Sequence, residues 1–214
     1  MTNRLSVVLA VALGALLSVR ANAGSVSGKI RLAGASAANT GQAASEKENV
    51  VIWLEGAQDS KPPETPVRIS QRNLQFAPEF VVAVKGQKIE MPNDDDVVHN
   101  VYSFTGQNQF NLGLYGKGDV KVVTLVQTGI VDVFCSIHHQ MHARVFVVPT
   151  RYFASSIPGH SFTLNDVPPG KYVLKAWHQR SRMMEKTIVV PASGSVTADI
   201  TLESGPQWPT MAKQ

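Results

Sequence analysis

Ile130-Val131-Asp132-Val133-Phe134-Cys135-Ser136-Ile137-His138-His139-Gln140-Met141 is the part of this chain that constrains its architecture most. Its first half alternates. Val131, Val133 and Cys135 fall on one face of a strand and Asp132 on the other, because strand side chains repeat every two residues. Cys135, the one cysteine in the chain, therefore ends an inward-facing row at the lip of a β-sandwich. The second half turns, presents His138 and Met141, and re-enters a strand over residues 144–148. Upstream, the turn-forming run Asn93-Asp94-Asp95-Asp96 leads into His99-Asn100 at the start of a strand over 98–104.

The rest of the chain reads in the same way. Short apolar segments rich in Val, Ile, Phe and Tyr are punctuated by Gly, Pro, Asn and Asp, which predicts an all-β, antiparallel protein. Further strands are expected over residues 26–32, 50–54, 67–71, 79–84, 88–91, 120–126, 161–164, 172–178, 184–190 and 195–202. Lys85-Gly86-Gln87 and Gln127-Thr128-Gly129 read as tight turns between paired strands. An Ala/Gly/Ser-rich stretch over 34–45 reads as a mobile loop, and Ser60-Lys61-Pro62-Pro63-Glu64-Thr65-Pro66 as a stiff connector. A second break follows Val148-Pro149.

Residues 1–23 have the form of a secretory signal: an early Arg4, an apolar run over 5–19, and the small-x-small pattern Ala21-Asn22-Ala23. The mature chain is expected to start at Gly24 in an oxidising, periplasmic space, without stable membrane insertion. Of the formal net charge of +4, Arg4 and Arg20 carry two. What remains is mild and lacks the Lys/Arg clusters of a nucleic-acid binder. A lone cysteine in that compartment closes no internal disulfide, so it is either an inert buried thiol or it has a task.

The neighbours of Cys135 point to the task. A thiolate and a thioether are soft donors that suit copper(I), and imidazole suits both copper oxidation states. Structural zinc sites are built from Cys and His without Met. The donors His99, Cys135, His138 and Met141 thus predict one copper ion, held by two imidazoles and a thiolate with a weak axial thioether. His139 and His142 are expected to face solvent, His160 and His178 to be structural, and Asp94 to Asp96 to form a solvated loop or a docking patch for a basic partner.

The middle module, residues 67–149, resembles the cupredoxins, the plastocyanin and amicyanin family. The resemblance rests on Leu74-Gln75-Phe76-Ala77-Pro78, on Asn93-Asp94 with His99-Asn100-Val101, and on Cys135-x-x-His138-x-x-Met141. It implies a Greek-key sandwich with a type 1 copper at one end. His99 and His138 would be the imidazole ligands, Cys135 the thiolate and Met141 the axial contact. Asn100 and Ser136 would support them, Asn100 by tying the His99 strand to the Cys135 loop. His139 stands where related short loops carry proline.

A second pattern flanks the first. Phe162-Thr163-Leu164-Asn165-Asp166-Val167-Pro168-Pro169-Gly170-Lys171-Tyr172-Val173-Leu174, with Ser27-Gly28-Lys29-Ile30 and Val50-Val51-Ile52-Trp53-Leu54, resembles the carboxypeptidase regulatory-like, or transthyretin-like, sandwich. This second, smaller sandwich would be split into residues 24–66 and 150–204, leaving 205–214 as a flexible tail, with Trp53 and Trp177 read as core residues rather than ligand platforms. The combination resembles periplasmic proteins labelled methylamine utilization proteins. It implies an electron carrier with a protein redox partner and no catalytic constellation. Copper storage or delivery is the alternative, and a wall- or partner-binding module with a structural metal is a third.

Overall fold

The computed structural model describes residues 23–33, 49–57, 61–203 and 205. The expected signal segment up to residue 22, the 34–45 loop and the tail beyond residue 205 lie outside them. The described residues are all-β, with one 3₁₀ turn at Gly106–Asn108. Two strands come first, β1 (Gly24–Leu32) and β2 (Val50–Glu55). Ten follow: β3 (Val67–Arg68), β4 (Ser70–Arg72), β5 (Gln75–Ala77), β6 (Phe80–Val84), β7 (Lys88–Pro92), β8 (His99–Ser103), β9 (Phe110–Tyr115), β10 (Val120–Thr124), β11 (Gly129–Cys135) and β12 (His142–Val148). The last six are β13 (Phe153–Ser156), β14 (Ser161–Val167), β15 (Gly170–Trp177), β16 (Met184–Val190), β17 (Ser195–Thr197) and β18 (Ile200–Leu202).

The first two and last six strands form two sheets. One has the order β14-β1-β17 with β18 also on β1, and the other has the order β13-β2-β15-β16. Val26, Ile30, Ile52, Leu54, Leu164, Leu174 and Ile200 fill the core they share. The ten central strands build a five-stranded sheet, β6-β12-β11-β8-β9, a three-stranded sheet, β10-β7-β3, and the small β4–β5 hairpin. Their own core contains Ile69, Phe76, Ile89, Met91, Val101, Val131, Val133, Val145 and Val147.

A third apolar layer joins the two sandwiches. Val51, Trp53 and Trp177 pack there against Val84, Phe146 and Val148. Trp53 lies 5.4 Å from Phe146 between ring centroids, and Trp177 lies 4.8 Å from Phe146. Two-residue alternation accounts for this layer. On β2, Val50, Ile52 and Leu54 enter one core while Val51 and Trp53 enter the layer. On β12, Val145 and Val147 point into one core while Phe146 and Val148 point into the layer. Strands buried on both faces need near-continuous apolar sequence, and these two have it.

Three expectations need correction. The sheets are mixed: β1 runs parallel to β17 and β18, β3 to β7, and β6 to β12. The turns at 85–87 and 127–129 do not join paired strands, because β6 and β7 lie in different sheets, as do β10 and β11. Turn chemistry marks where a chain reverses but not which sheet it enters next. The strand expected over 195–202 is broken at Ala198-Asp199 into β17 and β18. The break lies against Gly28, where a Cβ would stand 2.2 Å from the Ala198 carbonyl oxygen; only glycine allows that approach.

Candidate metal centre

Cys135 ends β11 and His99 begins β8, neighbouring strands on which Cys135 is paired with Val101. His138 lies in the loop between β11 and β12. This geometry brings three donors together. Cys135 Sγ lies 3.7 Å from His99 Nδ1 and 3.8 Å from His138 Nδ1, and the two Nδ1 atoms are 3.0 Å apart. The centre of that triangle is about 2 Å from each corner, the length of a metal–imidazole bond. A thiolate with two imidazole nitrogens in a trigonal arrangement is a donor set for copper. His99 and Cys135 are buried, and His138 is half-buried.

Met141 is buried in the same apolar cluster as Cys135, and its N–H donates to the His138 carbonyl at 2.9 Å, closing the loop. Asn100 ties the two ligand strands by its backbone, since the Ser136 N–H donates to the Asn100 carbonyl at 3.3 Å. Its side chain turns away and donates to Asn111 Oδ1 at 2.7 Å, on β9. Ser136 is exposed and acts through that backbone bond.

Within the acidic run Asp96 is exposed, as expected of a solvated loop, but Asp95 turns inward. Asp95 Oδ2 lies 2.9 Å from His99 Nε2, accepts the Leu74 N–H at 3.0 Å, and Oδ1 accepts the Asn73 N–H at 2.6 Å. Burial alone would raise the Asp95 pKa, but the bonds from Leu74, His99 and Asn73 outweigh it and hold the carboxyl below the usual carboxylate range. An ionised carboxylate can only accept, so His99 carries its proton on Nε2 and turns the Nδ1 lone pair toward Cys135 and His138. Asp94 is paired with Arg72, and the exposed Asp96 with Lys117.

The two donor amides come from the tip of the β4–β5 hairpin, where Asn73 and Leu74 both have positive φ, 56° and 58°. Successive left-handed residues point their N–H groups to one side and make an anion-binding concavity, here filled by Asp95. Leucine is unusual in this region and marks local strain.

Tyr115 is the buried ladder partner of His99 on β9. Its hydroxyl donates to the Met91 carbonyl at 3.0 Å and accepts from Gln71 Nε2 at 2.6 Å. Burial pushes its pKa up, the Gln71 bond opposes this, and the negative charge of a Cys135 thiolate adds to the rise. His142 does not simply face solvent: its Nε2 lies 2.8 Å from Oδ1 of the buried Asp132. His139 is exposed, as expected. Sequence reasoning missed Asp95, Asp132 and Tyr115. The signals were the four-residue spacing from Asp95 to His99 and an acid placed inside an apolar strand at Asp132.

No family model matches the chain, and no curated protein matches it. Solved structures resemble part of it. A purple cupredoxin from Nitrosopumilus maritimus is 21% identical over 38% of this chain and 99% of its own, with a TM-score of 0.35. Amicyanin from Paracoccus versutus is 22% identical over 45% and 97%, with a TM-score of 0.36. A copper-containing nitrite reductase from Thermus scotoductus SA-01 is 23% identical over 39% of this chain, with a TM-score of 0.37. The chain spans 22% of that enzyme's length.

Proposed function

We propose that this chain is an exported type 1 copper protein of the cupredoxin kind, carrying single electrons between protein partners. One observation carries the reading: the Cys135 sulfur and two Nδ1 atoms converge on one point at bonding distance, with Met141 buried in the same apolar cluster as Cys135. Copper bound there supplies a one-electron couple. The chain supplies the rest. Asp95 and the strand ends fix the donors, which favours a site that changes little between oxidation states. Burial of Cys135 and His99 keeps water from the thiolate, and half-buried His138 offers the shortest way out for an electron. The same burial favours carriage over copper delivery, which needs donors that an acceptor can reach. Residues 24–66 and 150–204 fit a split host sandwich of the carboxypeptidase regulatory-like kind, within which the copper module is inserted.

The test is the absorption and electron paramagnetic resonance spectrum of oxidised, copper-loaded protein. An intense blue thiolate-to-copper band that is lost in Cys135→Ser supports the proposal. Full copper occupancy without colour would sink it. Met141→Leu is expected to keep the copper and raise the reduction potential.

A further inference from the structure

We propose that His142 is a positioning residue of the metal centre, clamping the stem from which the Cys135 and Met141 sulfurs project. Phe134 and His142 face each other across the β11–β12 ladder, at the last pair before the loop. Cys135 follows one of them and Met141 precedes the other, so each sulfur is one peptide from the clamp. The two rings stack, with centroids 5.0 Å apart and planes 18° from parallel. From that position His142 Nε2 lies 2.8 Å from Asp132 Oδ1, two residues back on the same face of β11.

Asp132 is a firm anchor. It is 2% exposed, its Oδ1 also accepts from Arg144 Nε at 3.1 Å, and its N–H donates to Thr105 Oγ1 at 3.3 Å. An ionic group this deep is retained only when paired, and His142 and Arg144 are its partners on the neighbouring strand. His142 itself keeps a third of its side chain exposed, so apolar burial does not account for its place there.

The loop it closes has no proline. Proline would stiffen such a loop by fixing φ. Here the ring stack and the bond from His142 to Asp132 hold the loop ends instead. A copper–thiolate centre responds to small changes in the axial distance and in the surroundings of the sulfur, so a loosened stem would register in its electronic properties.

The inference rests on the copper reading above. The test compares copper-loaded wild type, His142→Ala, His142→Gln and Asp132→Asn by absorption, paramagnetic resonance and reduction potential. His142→Ala is expected to change the relative intensity of the thiolate-to-copper bands and to shift the potential. His142→Gln, which keeps an N–H donor for Asp132, is expected to recover part of that shift. Asp132→Asn, which keeps the shape of the anchor, is expected to shift the spectrum in the same direction as His142→Ala and stands in for it if the alanine variant does not fold. Unchanged spectra and potentials in the folded variants, beside a blue wild type, would overturn this inference alone. A wild type that binds copper without a blue band would overturn the copper reading and this one with it.

Discussion

The Asp95 carboxylate bonds His99 on the ring nitrogen opposite the one that faces Cys135, at 2.9 Å. Its other partners are the amides of Asn73 and Leu74, so three donors converge on one small anion. Asp95→Asn keeps the size but replaces one acceptor oxygen with an N–H₂ that opposes a donor. Losing a partner of this type costs metal sites about 10- to 100-fold in affinity. A competition titration with a copper chelator should show that loss, and an unchanged affinity would contradict the role given to Asp95.

Leu74 holds φ at 58° in a turn where glycine is the usual residue. The left-handed region costs a non-glycine residue roughly 1–2 kcal/mol. Leu74→Gly gives back about 0.4–1 kcal/mol through the freer unfolded chain. A net gain of about 0.5 kcal/mol is expected from these two terms, since Leu74 is partly exposed and little packing is lost. Urea unfolding should show a raised midpoint with an unchanged slope.

Trp177 packs against Phe146 at 4.8 Å and stacks on Phe80 at 6.3 Å with planes 5° apart. It is 2% exposed, so Trp177→Ala leaves a cavity between the sandwiches and should cost about 3–5 kcal/mol. Because the layer couples two separate cores, the variant should also split one unfolding transition into two in calorimetry. A single transition at the wild-type temperature would show that the layer contributes little.

Lys175 on β15 bridges Glu55 and Glu185, the latter at 2.9 Å. The bond to Glu55 and then that to Glu185 raise its pKa above the ordinary lysine value. A raised pKa in the folded state means that the contribution is complete below the unfolded value, about 10.4, and is lost as pH climbs through the folded one. Wild type should therefore lose stability at strongly alkaline pH more steeply than Lys175→Met, a difference visible in urea midpoints measured across that range.

The ligand strand was legible because its apolar positions alternate without interruption. Val131, Val133 and Cys135 are all buried in one core. What surrounds the ligands was harder to read. β9, Phe110–Tyr115, carries Asn111 and Gly113 within it, the latter at φ 69°, and residues that weaken strands hide a strand at a sheet edge. Asp95 looked like one member of a hydrophilic run, and its partners Asn73 and Leu74 come from a hairpin 21 and 22 residues earlier. Spacing within a strand is local information, but the choice of partner strand is not. The parallel pairing of β12 with β6 and the bond from His142 to Asp132 depend on that choice.

After the ten-strand segment the chain returns to β2. The Leu54 N–H donates to the Tyr152 carbonyl at 3.0 Å, and the Thr150 hydroxyl donates to the Leu54 carbonyl at 2.8 Å. β2 and β13 are therefore neighbours in space but separated by about a hundred residues of chain, a costly loop to close from an extended state. During synthesis β1 and β2 emerge long before β13 to β18 and wait with unpaired edges. If the central segment collapses first, it condenses that long loop into a compact unit, so that β2 and β13 have less distance to search. The order of folding then runs from the middle of the chain outward, and a slow-folding centre would leave the β1 and β2 edges exposed to aggregation.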